Sequence, residues 1–241
     1  MSSTMYYSLS DEEQRRLQTV IAVCFAVPFV DDVENFIWEA AFHYVKALPI
    51  PNPLIQGRTK RLFDAVDDGS GIGWSLKALQ RANLATGAQF ELVIQRADVF
   101  KKAEALGFDT LTVQSPEQDL GRALIRHWNR KTIADSTYQG VADPRVGILV
   151  KNRARTQFVF VEASYPPFDE GAFEWRWTNP QREGLQGFLE GRLKLRWYPN
   201  QKQLFEVFDV PAQATRVSLV PARVDPDDFI DAVMALLHPE D

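Results

Sequence analysis

The peptide DAVDDGSGIGWSLKAL contains the most restrictive local signal in the chain. Two short runs of alternating apolar and polar residues, 60–67 and 72–79, flank the tetrapeptide DGSG, and this layout predicts a β-hairpin. If the numbers of paired residues sum to 139, Asp64 lies opposite Ser75. Asp64, Ser75 and Lys77 then share one face of the hairpin. A shift of one residue would separate Asp64 from the other two.

Helical patterns dominate the first part of the chain and strand patterns the second. Apolar residues recur at helical spacing over 11–27 and 31–47, and again in SPEQDLGRALIRHWNRK. Ser10 with Glu13 predicts a capping box at the start of the first helix. In SPEQDLGRALIRHWNRK, Ser115 is the predicted N-cap and Pro116 the first helical residue. The segment FELVIQR fits either a strand or part of a helix that ends at Gly107. Later runs such as TQFVFVEA and KQLFEVFDV predict strands, and DPDDFIDAVMALL predicts a terminal helix.

These patterns predict an α/β (α+β) fold with a helical front and a β-rich back. We expect residues 1–165 to form the helical front and core. Residues 166–241 would form a β-rich part with the terminal helix, packed as one unit with the core. The length of 241 residues and the hydrophobic content of 45% are sufficient for a substantial core.

Composition excludes several classes of site. The chain has no apolar run long enough to span a membrane, and its N-terminus lacks the layout of a secretory signal, so we expect a cytoplasmic protein without a membrane partner. The single cysteine, Cys24, lies in an apolar run, which argues against a disulfide or a cysteine-based zinc site. The three histidines show no metal-ligand spacing.

The net charge of −5 hides an uneven distribution. Residues 1–57 and 225–241 are acidic, whereas 58–224 contain more basic than acidic side chains. A basic middle is compatible with contact to a nucleic acid, but such a difference is also common in proteins that bind none.

The shared hairpin face has two interpretations. A carboxylate and a lysine held together on a sheet can bind a divalent metal and orient a water molecule, as hydrolysis of a phosphodiester requires. Alternatively, Asp64 and Lys77 form a surface ion pair worth at most about 1 kcal/mol.

A helix followed by a hairpin with Asp64 and then Ser75-Leu76-Lys77 resembles the PD-(D/E)xK nuclease superfamily. The SxK variant is similar to that of some type II restriction endonucleases, in which the missing acid comes later in the chain. Glu91 matches that acid, with thirteen residues between it and Lys77.

The resemblance implies a restriction-endonuclease-like core, a mixed sheet flanked by helices. It also implies that Asp64 and Glu91 ligate Mg²⁺, that Lys77 positions the attacking water or stabilises the phosphorane, and that Ser75 occupies the vacated acid position. Gln95 is an auxiliary candidate because it shares a face with Glu91 in a helix or a strand. Glu39, on the polar side of the second helix, is either another auxiliary group or an exposed helix glutamate.

Contact with DNA would need basic side chains near this site and on the strands. In FEWRWTN and RLKLRWYP, basic residues alternate with apolar ones and project away from the apolar face, which is typical of DNA-facing strands and also of an ordinary half-buried sheet. The residues expected to contact DNA are Arg58, Lys60, Arg61, Arg96, Arg176, Lys194 and Arg196.

Two functions follow as hypotheses. The first is a magnesium-dependent endonuclease that cuts double-stranded DNA at a specific site as a homodimer. The second is a non-catalytic protein that binds nucleic acid or another partner and retains a degenerate nuclease fold. Whether Glu91 reaches Asp64 distinguishes them, because carboxylates that share one ion must lie close together.

Overall fold

The structure is a computed structural model that describes residues 4–50, 61–220 and 222–238. Within these residues it contains two β-sheets and four α-helices, which confirms the predicted mixed α/β class. The helices are α1 (Asp11–Ala26), α2 (Asn35–Val45), α3 (Glu117–Gln139) and α4 (Pro226–Leu237). The strands are β1 (Tyr6–Tyr7), β2 (Ala65–Asp67), β3 (Ile72–Gln80), β4 (Gln89–Arg96), β5 (Asp143–Lys151), β6 (Gln157–Ser164), β7 (Phe173–Trp177), β8 (Leu185–Leu189), β9 (Arg192–Tyr198), β10 (Gln203–Asp209) and β11 (Thr215–Ser218).

The first sheet contains the hairpin. Its strand order is β1-β6-β5-β3-β2, and β11 pairs with another part of β6. Strands β2 and β3 are antiparallel, whereas β3 runs parallel to β5. A parallel pair needs a long crossover, and here that connection contains β4 and α3.

The second sheet is antiparallel throughout, with the order β4-β10-β9-β8-β7. FELVIQR therefore forms a strand and not part of a helix. Strand β4 comes from the front of the chain and pairs with β10, while β11 returns to the first sheet. Both sheets thus contain residues from each side of position 165.

Two hydrophobic clusters join the layers. Helices α1 and α2 pack on one face of the first sheet, where Trp38, Phe42 and Phe160 contact one another. The opposite face shares a core with α3 and the second sheet, including the buried Trp128 and Trp197. Since α3 packs against β7 and β8, the crossover helix also connects the two sheets.

The helix ends differ in how well the sequence predicts them. Ser10 and Glu13 form the expected capping box at the start of α1. Helix α2 is shorter than the predicted 31–47. The predicted N-cap role of Ser115 is wrong, because its hydroxyl accepts a hydrogen bond from the backbone of Thr112 and α3 begins after Pro116. None of the described helices is long and apolar enough to cross a membrane.

Candidate functional site

The hairpin has the predicted register. Ala65 pairs with Trp74 and Asp67 with Ile72, so the numbers of paired residues sum to 139. Asp64 lies just before this ladder, and its backbone N–H donates to the Trp74 carbonyl at 2.8 Å. The DGSG segment closes the turn, and Gly71 adopts φ of 69°, a left-handed conformation that favours glycine.

Helices α2 and α3 hold the chain at Asp64 from two directions. His43 on α2 places Nε2 3.4 Å from the Asp64 carbonyl oxygen. On α3, Gln139 exchanges two hydrogen bonds with the backbone of Phe63: its Nε2 donates to the carbonyl at 2.9 Å, and its Oε1 accepts from the N–H at 3.3 Å. These contacts fix the backbone on which the Asp64 side chain is mounted.

Asp64, Ser75 and Lys77 come together on the hairpin. The Lys77 ammonium donates to the Ser75 hydroxyl at 3.1 Å and to the Leu76 carbonyl at 2.9 Å. It lies 3.8 Å from Asp64 Oδ2, which also accepts the Leu76 N–H at 2.7 Å. Ser75 is buried, whereas the side chains of Asp64 and Lys77 are 25% and 30% exposed, so solvent reaches both charges.

The interior beside Asp64 contains a buried tyrosine and a glutamate. Burial raises the pKa of Tyr165 well above its usual value, and the carboxylates of Glu206 and Asp64 raise it further. Burial also raises the pKa of Glu206, against the effect of its ion pair with Lys194. Tyr165 Oη and Glu206 Oε2 are buried and have no hydrogen-bond partner among the described residues. The sequence signal for Glu206 was a glutamate on the apolar face of KQLFEVFDV.

Glu91 lies in the other sheet. It is on β4, where it pairs with Val207 of β10, and its carboxylate forms an ion pair with Arg196. Its backbone carbonyl accepts a hydrogen bond from Arg81 at 3.0 Å. The structure therefore gives the Glu91 carboxylate a cationic partner within the second sheet.

The prediction that Gln95 shares a face with Glu91 is wrong because β4 contains a β-bulge. Val93 pairs with Phe205, but the next pair joins Gln95 to Leu204, so Ile94 is an extra residue. A bulge changes the alternation of side chains, and Gln95 lies buried opposite a fully buried leucine. Glu39, the other auxiliary candidate, lies half-buried on α2.

Of the seven predicted DNA contacts, one is buried, four are at least partly exposed and two lie outside the described residues. Lys194 was expected to project away from the apolar face, but it is buried and contacts Glu206, Thr4 and the Phe208 ring. This correction follows from a register shift between β8 and β9, where Gly187 and Phe188 pair with Leu195 and Leu193 and leave Lys194 between them.

The other predicted contacts among the described residues are more exposed than Lys194. Arg176 is exposed beside Glu174, and Arg96 is exposed at the end of β4. Arg61 contacts Asp135 and stacks on Tyr138 with its guanidinium carbon 3.7 Å from the ring centre. Arg196 is engaged by Glu91. Arg58 and Lys60 lie outside the described residues.

Among the three side chains that come together on the hairpin, the group suited to bind a divalent cation such as Mg²⁺ is the Asp64 carboxylate. Among the described residues, no three His, Cys, Asp or Glu side chains are arranged to hold a metal ion. Mg²⁺ is nonetheless commonly held by one or two carboxylates together with substrate phosphates and water, and Asp64 supplies a partly exposed carboxylate.

Comparison of the chain with protein-family models, curated proteins and solved structures gave no match.

Proposed function

We propose that this protein is a magnesium-dependent DNA endonuclease, similar to type II restriction enzymes, which hydrolyses phosphodiester bonds at a specific site. The observation that supports this proposal is the contact of the Lys77 ammonium with Ser75 and its approach to Asp64 on one hairpin. The hairpin strand runs parallel to β5 and is flanked by helices, as a restriction-endonuclease-like core would require.

Each hairpin side chain has a distinct role in this proposal. Asp64 would hold Mg²⁺, which when bound stabilises negative charge on the phosphate and promotes ionisation of water. Lys77 would stabilise the charge that develops on the phosphate oxygens and orient the attacking water. The Ser75 hydroxyl accepts a hydrogen bond from Lys77 and acts as a positioning residue, because it is buried behind the ammonium.

The substrate would be double-stranded DNA bound by a homodimer, since two hairpin sites are needed to cut both strands. Arg61, Arg96 and Arg176 retain partly or fully exposed side chains that can contact phosphates. Lys194 has no part in this surface because it is buried against Glu206. Arg196 is also left out, because its side chain is only 23% exposed and pairs with Glu91.

Cleavage of mixed plasmid DNA in Mg²⁺ tests the proposal. We expect discrete fragments from the wild-type protein and a loss of rate of about 100-fold or more in Lys77→Ala, as for the removal of a group that stabilises a transition state. DNA binding in Ca²⁺ should persist. Lys202→Ala is a matched control, because Lys202 is an exposed lysine paired with Asp98. Equal cleavage by Lys77→Ala and the control would refute the catalytic assignment.

A second function is favoured by the position of Glu91. Because its carboxylate is paired with Arg196, the hairpin could belong to a non-catalytic DNA-binding or interaction protein. Cleavage by the wild-type protein in Mg²⁺ separates the two functions, and Glu91→Gln in the same assay then tests whether Glu91 is a metal ligand. If Glu91 ligates Mg²⁺, this variant loses activity as Lys77→Ala does. If wild-type protein binds DNA in Ca²⁺ but never cuts it in Mg²⁺, the binding function is correct.

A further inference from the structure

A basic pocket lies between the end of β4 and the middle of α3, outside the hairpin site. Its volume is about 480 Å³, which is within the range of small-ligand sites. The residues that line it are Gln95, Arg96, Lys102, His127, Arg130 and Lys131. The lining thus brings four permanent cations and a histidine together without a carboxylate among them.

Few anionic groups offset this charge. Among the described residues, the carboxylate in an ion pair with a lining cation is Asp135, which contacts Lys131 at 2.6 Å and also contacts Arg61. Glu170 also attracts Arg130, but its carboxylate forms its ion pair with Arg126. Arg130 donates to the Ala105 carbonyl, a neutral acceptor. Like charges held together raise the energy of a protein unless a counter-ion binds. The pocket therefore has an excess of positive charge, and a bound anion would reduce the repulsion among its cations.

The hydrogen bonds of His127 also leave a donor without a suitable acceptor. Its Nε2 lies 3.2 Å from both Lys102 Nζ and the Arg96 carbonyl oxygen. A single ring nitrogen cannot donate to the carbonyl and accept from the ammonium at once. If His127 Nε2 donates to the Arg96 carbonyl, it cannot accept a hydrogen bond from the Lys102 ammonium. An anionic oxygen in the pocket would give Lys102 an acceptor.

Gln95 adds a buried polar group to the same wall. The residue is only 8% exposed, and its buried Oε1 has no hydrogen-bond partner in the part of the chain that the structure describes. Buried polar groups are nearly always hydrogen-bonded. The carboxamide can present either its oxygen or its N–H groups by rotation, so it can pair with a protonated or an unprotonated oxygen of a ligand.

We propose that this pocket binds a phosphate group, with Arg96, Lys102 and Arg130 as its cationic contacts and Gln95 as a neutral one. Phosphate offers several charged oxygens, which suit a cluster of ammonium and guanidinium donors. The proposal is independent of the nuclease activity and gives Gln95 a binding role in place of the auxiliary catalytic role.

The phosphate could be a free phosphate compound or part of a DNA backbone. Helix α3 carries both His127 of the pocket and Gln139, which holds the backbone of Phe63 beside Asp64. They are twelve positions apart, which corresponds to about 18 Å along a helix. A DNA strand that crosses the hairpin could therefore place a phosphate several nucleotides away in the pocket.

Titration of the wild-type protein with inorganic phosphate tests the site directly, in EDTA so that nuclease activity plays no part. We expect saturable shifts of the His127 ring signals in NMR spectra and a rise in the pKa of His127, because a bound anion favours the charged imidazole. His43, which is buried against Pro49 and Asp64, is the internal control. Equal small shifts at His43 and His127, or shifts reproduced by chloride, would refute the proposal.

Variants then identify the source of the phosphate. Lys102→Gln combined with Arg130→Gln should weaken phosphate binding about tenfold or more. Arg122→Gln, an exposed arginine on α3 paired with Asp119, should leave it unchanged. If the double variant also weakens duplex DNA binding, the ligand is a backbone phosphate; if only free phosphate is affected, it is a small phosphate compound. Unchanged phosphate binding in a folded double variant would overturn the site.

Discussion

Glu162 is the residue whose replacement should most directly test how the hairpin is secured. Its side chain is fully buried and accepts three contacts: from Lys46 of α2 at 2.9 Å, from Arg145 of β5 at 2.8 Å and from the Trp74 indole of β3 at 2.8 Å. It therefore joins a helix and two strands around the segment that carries Ser75 and Lys77.

Replacement by glutamine keeps the size and removes the charge. Breaking a buried ion pair costs about 3–5 kcal/mol. Lys46 still contacts Glu13 at 3.0 Å and Arg145 still contacts Asp143 at 2.6 Å, so we expect the lower end, about 3 kcal/mol. For a chain of this length, the melting temperature should fall by about 9 °C.

The assay is thermal unfolding of Glu162→Gln beside Glu12→Gln. Glu12 forms exposed pairs with Arg15 and Arg16, so its replacement should cost less than about 1 kcal/mol. If Glu162→Gln also changes the free energy of unfolding by less than about 1 kcal/mol, the buried network does not secure the hairpin and the reasoning fails.

Two further predictions concern α3. Burial is the main cause that lowers the pKa of His127 from 6.5, and the charges of Lys102, Arg130 and Lys131 lower it further. The unfolded state therefore binds more protons than the folded state, and stability should fall as the pH drops through 6.5. In His127→Gln the melting temperature should fall less over that pH range, and a pH profile identical to that of the wild type would contradict this. Gly121→Ala should lower the free energy of unfolding by about 1–3 kcal/mol, because a Cβ would lie 2.2 Å from the Trp175 ring. Gly171→Ala is the control in the same melting experiment, because the atom nearest to its Cβ would be 3.5 Å away. Equal stabilities of the two variants would contradict the close packing at Gly121.

The local hairpin could be predicted from sequence because its turn fixes its register. DGSG positions the two strands, and the pairs Ala65–Trp74 and Asp67–Ile72 follow. The contact of Lys77 with Ser75 is likewise a local consequence of alternation along one strand.

The placement of Glu91 could not be predicted in the same way. The prediction for Glu91 used only its spacing from Lys77 along the chain. The position of β4, which carries Glu91, is instead set by pairing with β10, a strand far away in the sequence. Side-chain alternation also fails at Gln95 and Lys194, because a bulge adds one residue to a strand without a clear signal in the sequence. Tertiary pairing, not local propensity, therefore decided which side chains lie near the hairpin.

The pairing of β4 with β10 also sets an order in which the protein can fold. The β2–β3 hairpin needs only adjacent residues, so Asp64 and Lys77 can meet early. Strand β4 must wait for β10, about 110 residues later in the chain, before its hydrogen bonds are satisfied. During synthesis the strand that carries Glu91 is therefore an unpaired edge, exposed to association with other chains until the second sheet closes.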